Sequence, residues 1–120
     1  MPTHRLEKIN ELIRQELGNI LLKEGDIEPG VLVTILKVTA SDDLKSADIV
    51  FSVWPNEKAE KINAQLKFQA GWLQSFLNKR VTFHPVPRIR FVLNTEEIEG
   101  QKIDAMIKEL NQEEPKANGV

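Results

Sequence analysis

Residues 31–54 read VLVTILKVTASDDLKSADIVFSVW, and this stretch decides the fold. Its first eight residues are mostly apolar and β-branched, on both faces, as expected of a central strand. Residues 41–44 (SDDL) predict the connection of a hairpin, because short Ser and Asp side chains bond turn backbone groups. In the second strand Ile49, Phe51 and Val53 alternate with a less apolar set, so this strand turns one face toward a core.

Helical patterns lie on both sides of these strands. Upstream, apolar residues recur at spacings of three and four and predict an amphipathic helix from about His4 to Lys23. Downstream, the same spacing runs from Ala59 to about Asn78, with Gly71 inside it. A glycine in a regular helix interior costs about 1 kcal/mol relative to alanine. We therefore expect Gly71 to mark a bend, or a close approach that a Cβ would block.

A third strand is predicted from Arg88 to Leu93, where two prolines fix an extended lead-in. Ile89 and Phe91 would face the core, which leaves Arg88 and Arg90 together on the opposite side. The order helix, strand, strand, bent helix, strand predicts a small α+β unit with its helices on one face of a three-stranded sheet.

The C-terminal part of the chain predicts one further short helix after Gly100, from Ile103, Met106, Ile107 and Leu110. We expect residues 1–111 to form a single domain. The polar residues 112–120 are expected to be a disordered tail.

Charge is unevenly distributed along the chain. The formal net charge is -2, yet the stretch from Lys67 to Asn94 contains no Asp or Glu. A local block of positive charge can attract a polyanion even when the whole molecule is acidic. On charge alone, an anion-binding role and a merely solvated face are equally good interpretations. The block carries five cations: Lys67, Lys79, Arg80, Arg88 and Arg90.

The sequence offers no catalytic or metal-binding pattern. There is no Cys, and the two histidines, His4 and His84, have no ligand-like spacing. Phosphate loops, nucleophile elbows and HExxH motifs are missing, so we expect neither an enzyme nor a cofactor. The polar N-terminus is unlike a secretory signal, and no apolar run approaches the roughly 20 residues that span a bilayer. We expect a soluble, cytoplasmic monomer.

Three runs, in the correct order, resemble the bacterial ribosome-binding factor A family. Residues 33–53 (VTILKVTASDDLKSADIVFSV) resemble its strand-turn-strand signature, residues 86–92 (VPRIRFV) its last strand, and residues 98–104 (IEGQKID) its C-terminal extension. The first helix, beginning RLEKIN at residue 5, fits as well. The resemblance covers about residues 4 to 110.

This resemblance implies a type II KH-like fold in the order α-β-β-α-kink-α-β. A bend between two helices would stand where ordinary KH domains place their phosphate-clamping Gly-x-x-G loop. The family bend is an Ala-x-Gly motif, and the matching residues here are Gln69, Ala70 and Gly71. The glycine is kept, but Gln69 replaces the first alanine.

The resemblance also implies a function, that of a non-enzymatic assembly factor. Such a factor binds the small ribosomal subunit and its rRNA and assists late rRNA maturation, especially in the cold. The alternatives are a protein-interaction module that uses an open sheet face with Val50 and Trp54, and a KH-like binder of single-stranded mRNA. Base stacking by Trp54 or Trp72 is less expected than partial burial of Trp72 and capping of the core edge by Trp54. The expected phosphate contacts are Arg5, Lys8, Lys67, Lys79, Arg80, Arg88 and Arg90.

Overall fold

Two long helices and three strands follow one another in the predicted order, which confirms the α+β, KH-like fold class. The computed structural model describes residues 4–95. The predicted short helix after Gly100, the domain boundary at residue 111 and the predicted tail at 112–120 lie outside the described residues. The elements are α1 (His4–Glu24), β1 (Leu32–Ala40), β2 (Ser46–Trp54), a 3-10 turn (Asn56–Lys58), α2 (Ala59–Arg80) and β3 (Arg88–Leu93).

The sheet has the order β1-β2-β3, with β1 antiparallel to β2 and β3 parallel to it. The hairpin between β1 and β2 closes as its polar turn residues predict. The Ser41 hydroxyl accepts the backbone N–H groups of Lys45 and Ser46, both at 3.1 Å, and donates to Asp43 Oδ1 at 2.7 Å. Parallel β3 reaches its place through α2, which crosses from the end of β2 to the beginning of β3.

β1 is an edge strand, so the expectation of a central strand is wrong. The central strand is β2. The register between β1 and β2 shifts between Ile35 and Lys37, which makes Leu36 a bulge of the kind common at sheet edges. Leu36 is 47% exposed and Leu32 is 61% exposed. The apolar residues on the outer side of β1 therefore face solvent, and they do not indicate burial on both faces.

The core lies between the sheet and the two helices, which pack on one face, α1 against β1 and α2 against β3. The alternation predicted for β2 is confirmed, because Ile49, Phe51 and Val53 are buried. In β3, Ile89 and Phe91 are buried in the same way, and Phe91 meets Phe51 edge to face with ring centroids 6.0 Å apart. Burial of each such side chain contributes about 1.5–3 kcal/mol. This shared layer fixes β3 beside β2.

α2 is a continuous helix, so Gly71 does not break it, and the bend expected at Gly71 stays a prediction. The helix runs from Ala59 to Arg80 and passes through Gly71. A Cβ added at Gly71 would meet no atom within 4 Å, which excludes the close approach as well. Leu66 and Leu73, on either side of the glycine, are fully buried. Their packing against the core offsets the roughly 1 kcal/mol that glycine costs a helix.

Candidate nucleic-acid interface

Several segments that are distant in sequence meet at the end of the sheet where β2 and β3 begin. Arg88 N–H donates to Lys45 O at 3.1 Å, which joins the start of β3 to the hairpin turn. On α1, Asn10 Oδ1 accepts Ala40 N–H at 2.9 Å, which places the first half of that helix beside the same turn. The last turn of α2 leads into the loop at 81–87 that precedes β3. We call this region the basic end; its cations are Arg5, Lys8, Lys45, Lys79, Arg80 and Arg88.

Arg5 and Lys8 border a hollow at the basic end. The hollow has a volume of about 320 Å³, and its walls also include Ile9, Leu12 and Phe83. Phe83 comes from the loop after α2, so this contact brings the first turns of α1 to the acid-free block. The sequence predicted Arg5 and Lys8 as separate contacts on the first helix. The structure brings them to the same end as Lys79 and Arg88.

Two of the predicted cations are held by carboxylates. Arg80 Nη1 lies 3.2 Å from Glu16 Oε1 on α1. Arg90 contacts Asp48 on β2 through both Nε, at 2.9 Å, and Nη2, at 2.7 Å. A carboxylate partner neutralises the charge of a guanidinium and occupies some of its five N–H donors, which weakens its attraction for a phosphate. Arg80 and Arg90 are therefore weaker anion ligands than their charge alone suggests.

The other predicted cations have no such partner. Among residues 4–95, no carboxylate forms an ion pair with Arg5, Lys8 or Lys79. The same holds within this range for Arg88 and for Lys67. All five side chains are exposed. Four of them lie at the basic end, whereas Lys67 lies near the middle of α2.

Lys45 is a cation of the basic end that the sequence did not predict. It lies in the hairpin turn beside Asp43, outside the acid-free block. Hydrogen bonds from the Ser41 hydroxyl and from the Lys45 backbone N–H lower the pKa of Asp43. The basic end therefore includes a persistent negative charge in the turn. Lys45 comes next to Arg88 only because β3 pairs with the hairpin turn. The sequence around Lys45 therefore gives no sign that it belongs to the basic end.

A pair of exposed aromatic side chains lies on the outer side of α2. Phe68 is 92% exposed and Trp72, one turn further along, is 48% exposed. Trp72 also packs edge to face on Phe76, with ring centroids 5.2 Å apart. The partial burial predicted for Trp72 is confirmed. Phe68 was not predicted, although its position off the apolar stripe of α2 was the signal that could have identified it.

The predicted kink motif lies on α2 between these rings and the core. Ala70 is partly buried against the core and Gly71 is exposed. Gln69 is half-buried, and its Oε1 atom is buried without a hydrogen-bond partner among residues 4–95. An unsatisfied buried carbonyl is unfavourable, which is the cost of placing glutamine where the resembled family has alanine.

The outer face of the sheet, which neither helix covers, carries both apolar and charged side chains. Trp54 is 66% exposed at the end of β2, and its register partner on β1 is Leu32. Val50 pairs with Val92 on β3, and Val92 is 39% exposed. Trp54 therefore does not cap the core edge as predicted.

Neither metal chemistry nor a membrane span is found in the described part of the chain. Residues 4–95 contain no group of three His, Asp or Glu side chains placed to hold a metal ion. Neither α1 nor α2 is long and apolar enough to cross a bilayer.

Comparison with known proteins agrees with the resemblance. The family model described as Ribosome-binding factor A matches residues 5–107. A curated ribosome-binding factor A from Akkermansia muciniphila is 29% identical over 119 residues, covering 96% of this chain and 91% of that protein. The corresponding protein of Desulfitobacterium hafniense is 31% identical over 121 residues, covering 99% and 96%.

A solved structure is similar in fold. The crystal structure of ribosome-binding factor A from Thermus thermophilus superposes with a TM-score of 0.64 at 19% sequence identity. The match covers 73% of this chain and 94% of that one. At this identity the likeness concerns the fold alone.

Proposed function

Because this chain belongs to the ribosome-binding factor A family, we propose that it binds the small ribosomal subunit through its rRNA and assists late maturation of that rRNA, above all in cold growth. The observation that carries this proposal is the basic end, where Arg5, Lys8, Lys79 and Arg88 are exposed and form no ion pair within residues 4–95. The protein acts in the cytoplasm as a monomer, without a cofactor and without covalent chemistry.

The geometry of the basic end supports the proposed phosphate recognition. Arg5 and Lys8 border the hollow beside Phe83, and Lys79 and Arg88 lie at the same end of the sheet, so a folded RNA backbone can meet several cations at once. Binding releases counterions and needs no reading of base sequence. A protein that binds one rRNA conformer better than its competitors shifts the population toward that conformer. Cold stabilises wrong RNA pairings, so this shift matters most at low temperature.

The experiment is sedimentation of the tagged protein with purified small subunits at increasing salt concentration. We expect co-sedimentation at low salt and a linear fall of the logarithm of affinity with the logarithm of salt. Each phosphate contact to a single strand contributes a slope of about -0.7. Replacing Arg5, Lys8, Lys79 and Arg88 together by Ala should make this slope shallower by about 0.7 for each phosphate contact that is lost.

A matched control removes cations that carboxylates already hold. Lys58 and Lys61 lie 3.3 Å and 3.0 Å from the Glu28 carboxylate. The Lys58→Ala, Lys61→Ala variant should keep the wild-type slope. An equal effect of both variants would refute the assignment to the basic end, and failure of the wild-type chain to sediment with small subunits would refute the proposed function. Crosslinks concentrated in mRNA would instead indicate the single-stranded mRNA binder.

A second candidate function, that of a protein-interaction module, is supported by the outer face of the sheet. Leu32, Trp54 and Val92 are exposed there, on three different strands. A protein partner held by this face would remain bound to the tagged chain after nuclease treatment. Loss of all partners on nuclease treatment would exclude this candidate.

A further inference from the structure

The outer side of α2 carries an arrangement that the basic end does not explain. At 100° per residue, Phe68, Trp72 and Lys79 project within an arc of about 40°, and Ser75 lies beside them. The buried side chains of the same helix, such as Leu66 and Leu77, project from the opposite side. Phe68 therefore projects into solvent, on the side of α2 opposite to the core. We call Phe68, Gly71, Trp72 and Lys79, together with neighbouring Lys67, the α2 ridge.

Exposure of Phe68 is costly for a residue of its kind. A phenylalanine that is 92% exposed forgoes the roughly 1.5–3 kcal/mol that its burial would contribute. Leu22, 87% exposed on α1, stands apart from any aromatic ring contact among residues 4–95. Phe68 differs, because a second exposed ring lies one turn away, about 6 Å along the helix axis. Trp72 is in turn held in place by its edge contact with Phe76.

Gly71 leaves the helix surface open beside Phe68. The glycine is exposed and carries no side chain, and a Cβ there would meet no atom within 4 Å. At 100° per residue Gly71 projects about 60° from Phe68, on the side away from Trp72, so the helix surface is open beside Phe68. A side chain could be added there without disturbing the fold, so this opening can be tested separately from the rings.

The charges on the α2 ridge indicate which ligand it takes. The helix contains no acid after Glu60, and Lys67 and Lys79 form no ion pair within residues 4–95. Exposed rings between unpaired cations match a ligand that combines flat bases with phosphates. This combination is how proteins hold single-stranded nucleic acid. An apolar protein partner would not require the cations.

We propose that the α2 ridge binds an unpaired segment of RNA, with Phe68 and Trp72 stacking on bases while Lys67 and Lys79 contact the adjoining phosphates. This proposal rests on the proposed function, since it names a second contact of the same RNA ligand. The basic end holds folded backbone by charge, whereas the α2 ridge selects strands whose bases are free to unstack. Such a division lets the protein distinguish an unpaired rRNA segment from a paired one.

The test measures affinity for small subunits and for a short unstructured RNA oligonucleotide, with an abasic oligomer of equal length as the comparison ligand. Phe68→Ala and Trp72→Ala should each weaken binding to the oligonucleotide about tenfold. Their salt slope should stay at the wild-type value, because stacking neutralises no phosphate. Lys67→Ala and Lys79→Ala should instead reduce the slope. For the abasic oligomer, the ring variants should bind as the wild-type chain does.

Three further variants separate stacking from other uses of the ridge. Phe68→Leu keeps an apolar side chain but removes the π-face, so RNA binding should fall as in Phe68→Ala, whereas Phe68→Tyr should restore it. Gly71→Gln fills the opening and should weaken binding with both rings intact. Leu22→Ala removes an equally exposed apolar side chain on α1 and should leave affinity unchanged.

A spectroscopic measurement gives an independent readout. The chain has two tryptophans, so Trp72 alone reports in a Trp54→Phe background. Oligonucleotide binding should quench its fluorescence, and the abasic oligomer should not. Wild-type affinity for the oligonucleotide in Phe68→Ala and Trp72→Ala, with small-subunit binding intact, would refute RNA binding by the α2 ridge but leave the proposed function standing. Wild-type affinity for small subunits in Phe68→Leu but not in Phe68→Ala would indicate an apolar protein contact and would also refute RNA binding by the α2 ridge.

Discussion

Gln74 joins α2 to the start of β3, and its replacement should measurably destabilise the domain. Arg88 N–H points toward the hairpin turn just before β2, where it bonds Lys45 O, so the next N–H along the extended strand points away from β2. That N–H, of Ile89, donates to Gln74 Oε1 at 2.8 Å. Gln74 Nε2 donates to Pro87 O at 3.0 Å. The side-chain amide thus takes the place that a further strand would occupy.

The expected cost of Gln74→Leu follows from these two bonds. Each contributes a net free energy of about 0.5–1.5 kcal/mol, and their loss leaves one N–H and one C=O without a partner in a partly buried position. Leucine recovers a few tenths of a kcal/mol through its helix propensity. We expect a loss of about 2 kcal/mol, a sizeable part of the roughly 5–15 kcal/mol that stabilises a domain. The urea midpoint should fall by about 1 M.

Urea unfolding followed by circular dichroism measures this loss, and amide exchange of Ile89 locates it. Gln15, exposed on α1 and 3.3 Å from Glu11, provides the control, because Gln15→Leu should change stability by less than about 0.5 kcal/mol. Gln74→Glu retains an acceptor for Ile89 but loses the donor for Pro87, so its stability should lie between those of wild type and Gln74→Leu. Equal midpoints for Gln74→Leu and Gln15→Leu would refute the reasoning.

Three other substitutions have outcomes that the structure fixes. Gly25→Ala should destabilise by about 1–3 kcal/mol, because its Cβ would come 2.6 Å from a backbone oxygen of α1; a wild-type urea midpoint would contradict this. Gln69→Ala should stabilise by about 0.5–1 kcal/mol by removing a buried carbonyl without a partner among residues 4–95; a lower midpoint would show that glutamine packing matters more. Hydrogen bonds from Lys61 and, second, from Lys58 lower the pKa of the Glu28 carboxyl in the folded protein. The charged Glu28 carboxylate therefore stabilises the fold above its unfolded pKa, and this stabilisation is lost as the pH falls through the folded pKa. Glu28→Gln should therefore lose less thermal stability on acidification than wild type, and parallel melting-temperature profiles would contradict it.

The sequence predicts β2 and β3 well and β1 poorly, for a physical reason. In β2 and β3 one face is buried and the other is solvated, so the alternation of Phe51 and Phe91 with less apolar neighbours records the real environment. In β1 the outer face is solvated but carries Leu32 and Leu36. Strand order depends on the crossover through α2, and the bulge at Leu36 depends on the partner strand. Neither is encoded in the residues of β1 alone.

The candidate site was also predictable only in part, because the sequence identifies its cations but not their distant partners. Each cation can be counted from the sequence, but its freedom to bind depends on partners far away in the chain. Glu16 lies on α1 and holds Arg80 near the end of α2, while Asp48 on β2 holds Arg90 on β3. Conversely, Lys45 reaches the basic end only because β3 pairs with the hairpin turn. Charge patterning therefore identified the region, and only the fold separates the free cations from the neutralised ones.

The continuous course of α2 bears on the RNA contacts proposed for the α2 ridge. A regular helix fixes both the spacing and the direction of its side chains, so Phe68 and Lys79 stay about 17 Å apart on one face. Lys79 belongs to the basic end as well as to the α2 ridge. A strand that leaves the basic end at Lys79 can therefore follow the helix to the two rings without any rearrangement of the protein. With independent segments on either side of Gly71, the same contacts would have to be ordered on binding, at a cost in conformational entropy. Under the proposed binding mode, a helix that is continuous through Gly71 favours RNA whose unpaired segment already lies beside the bound backbone.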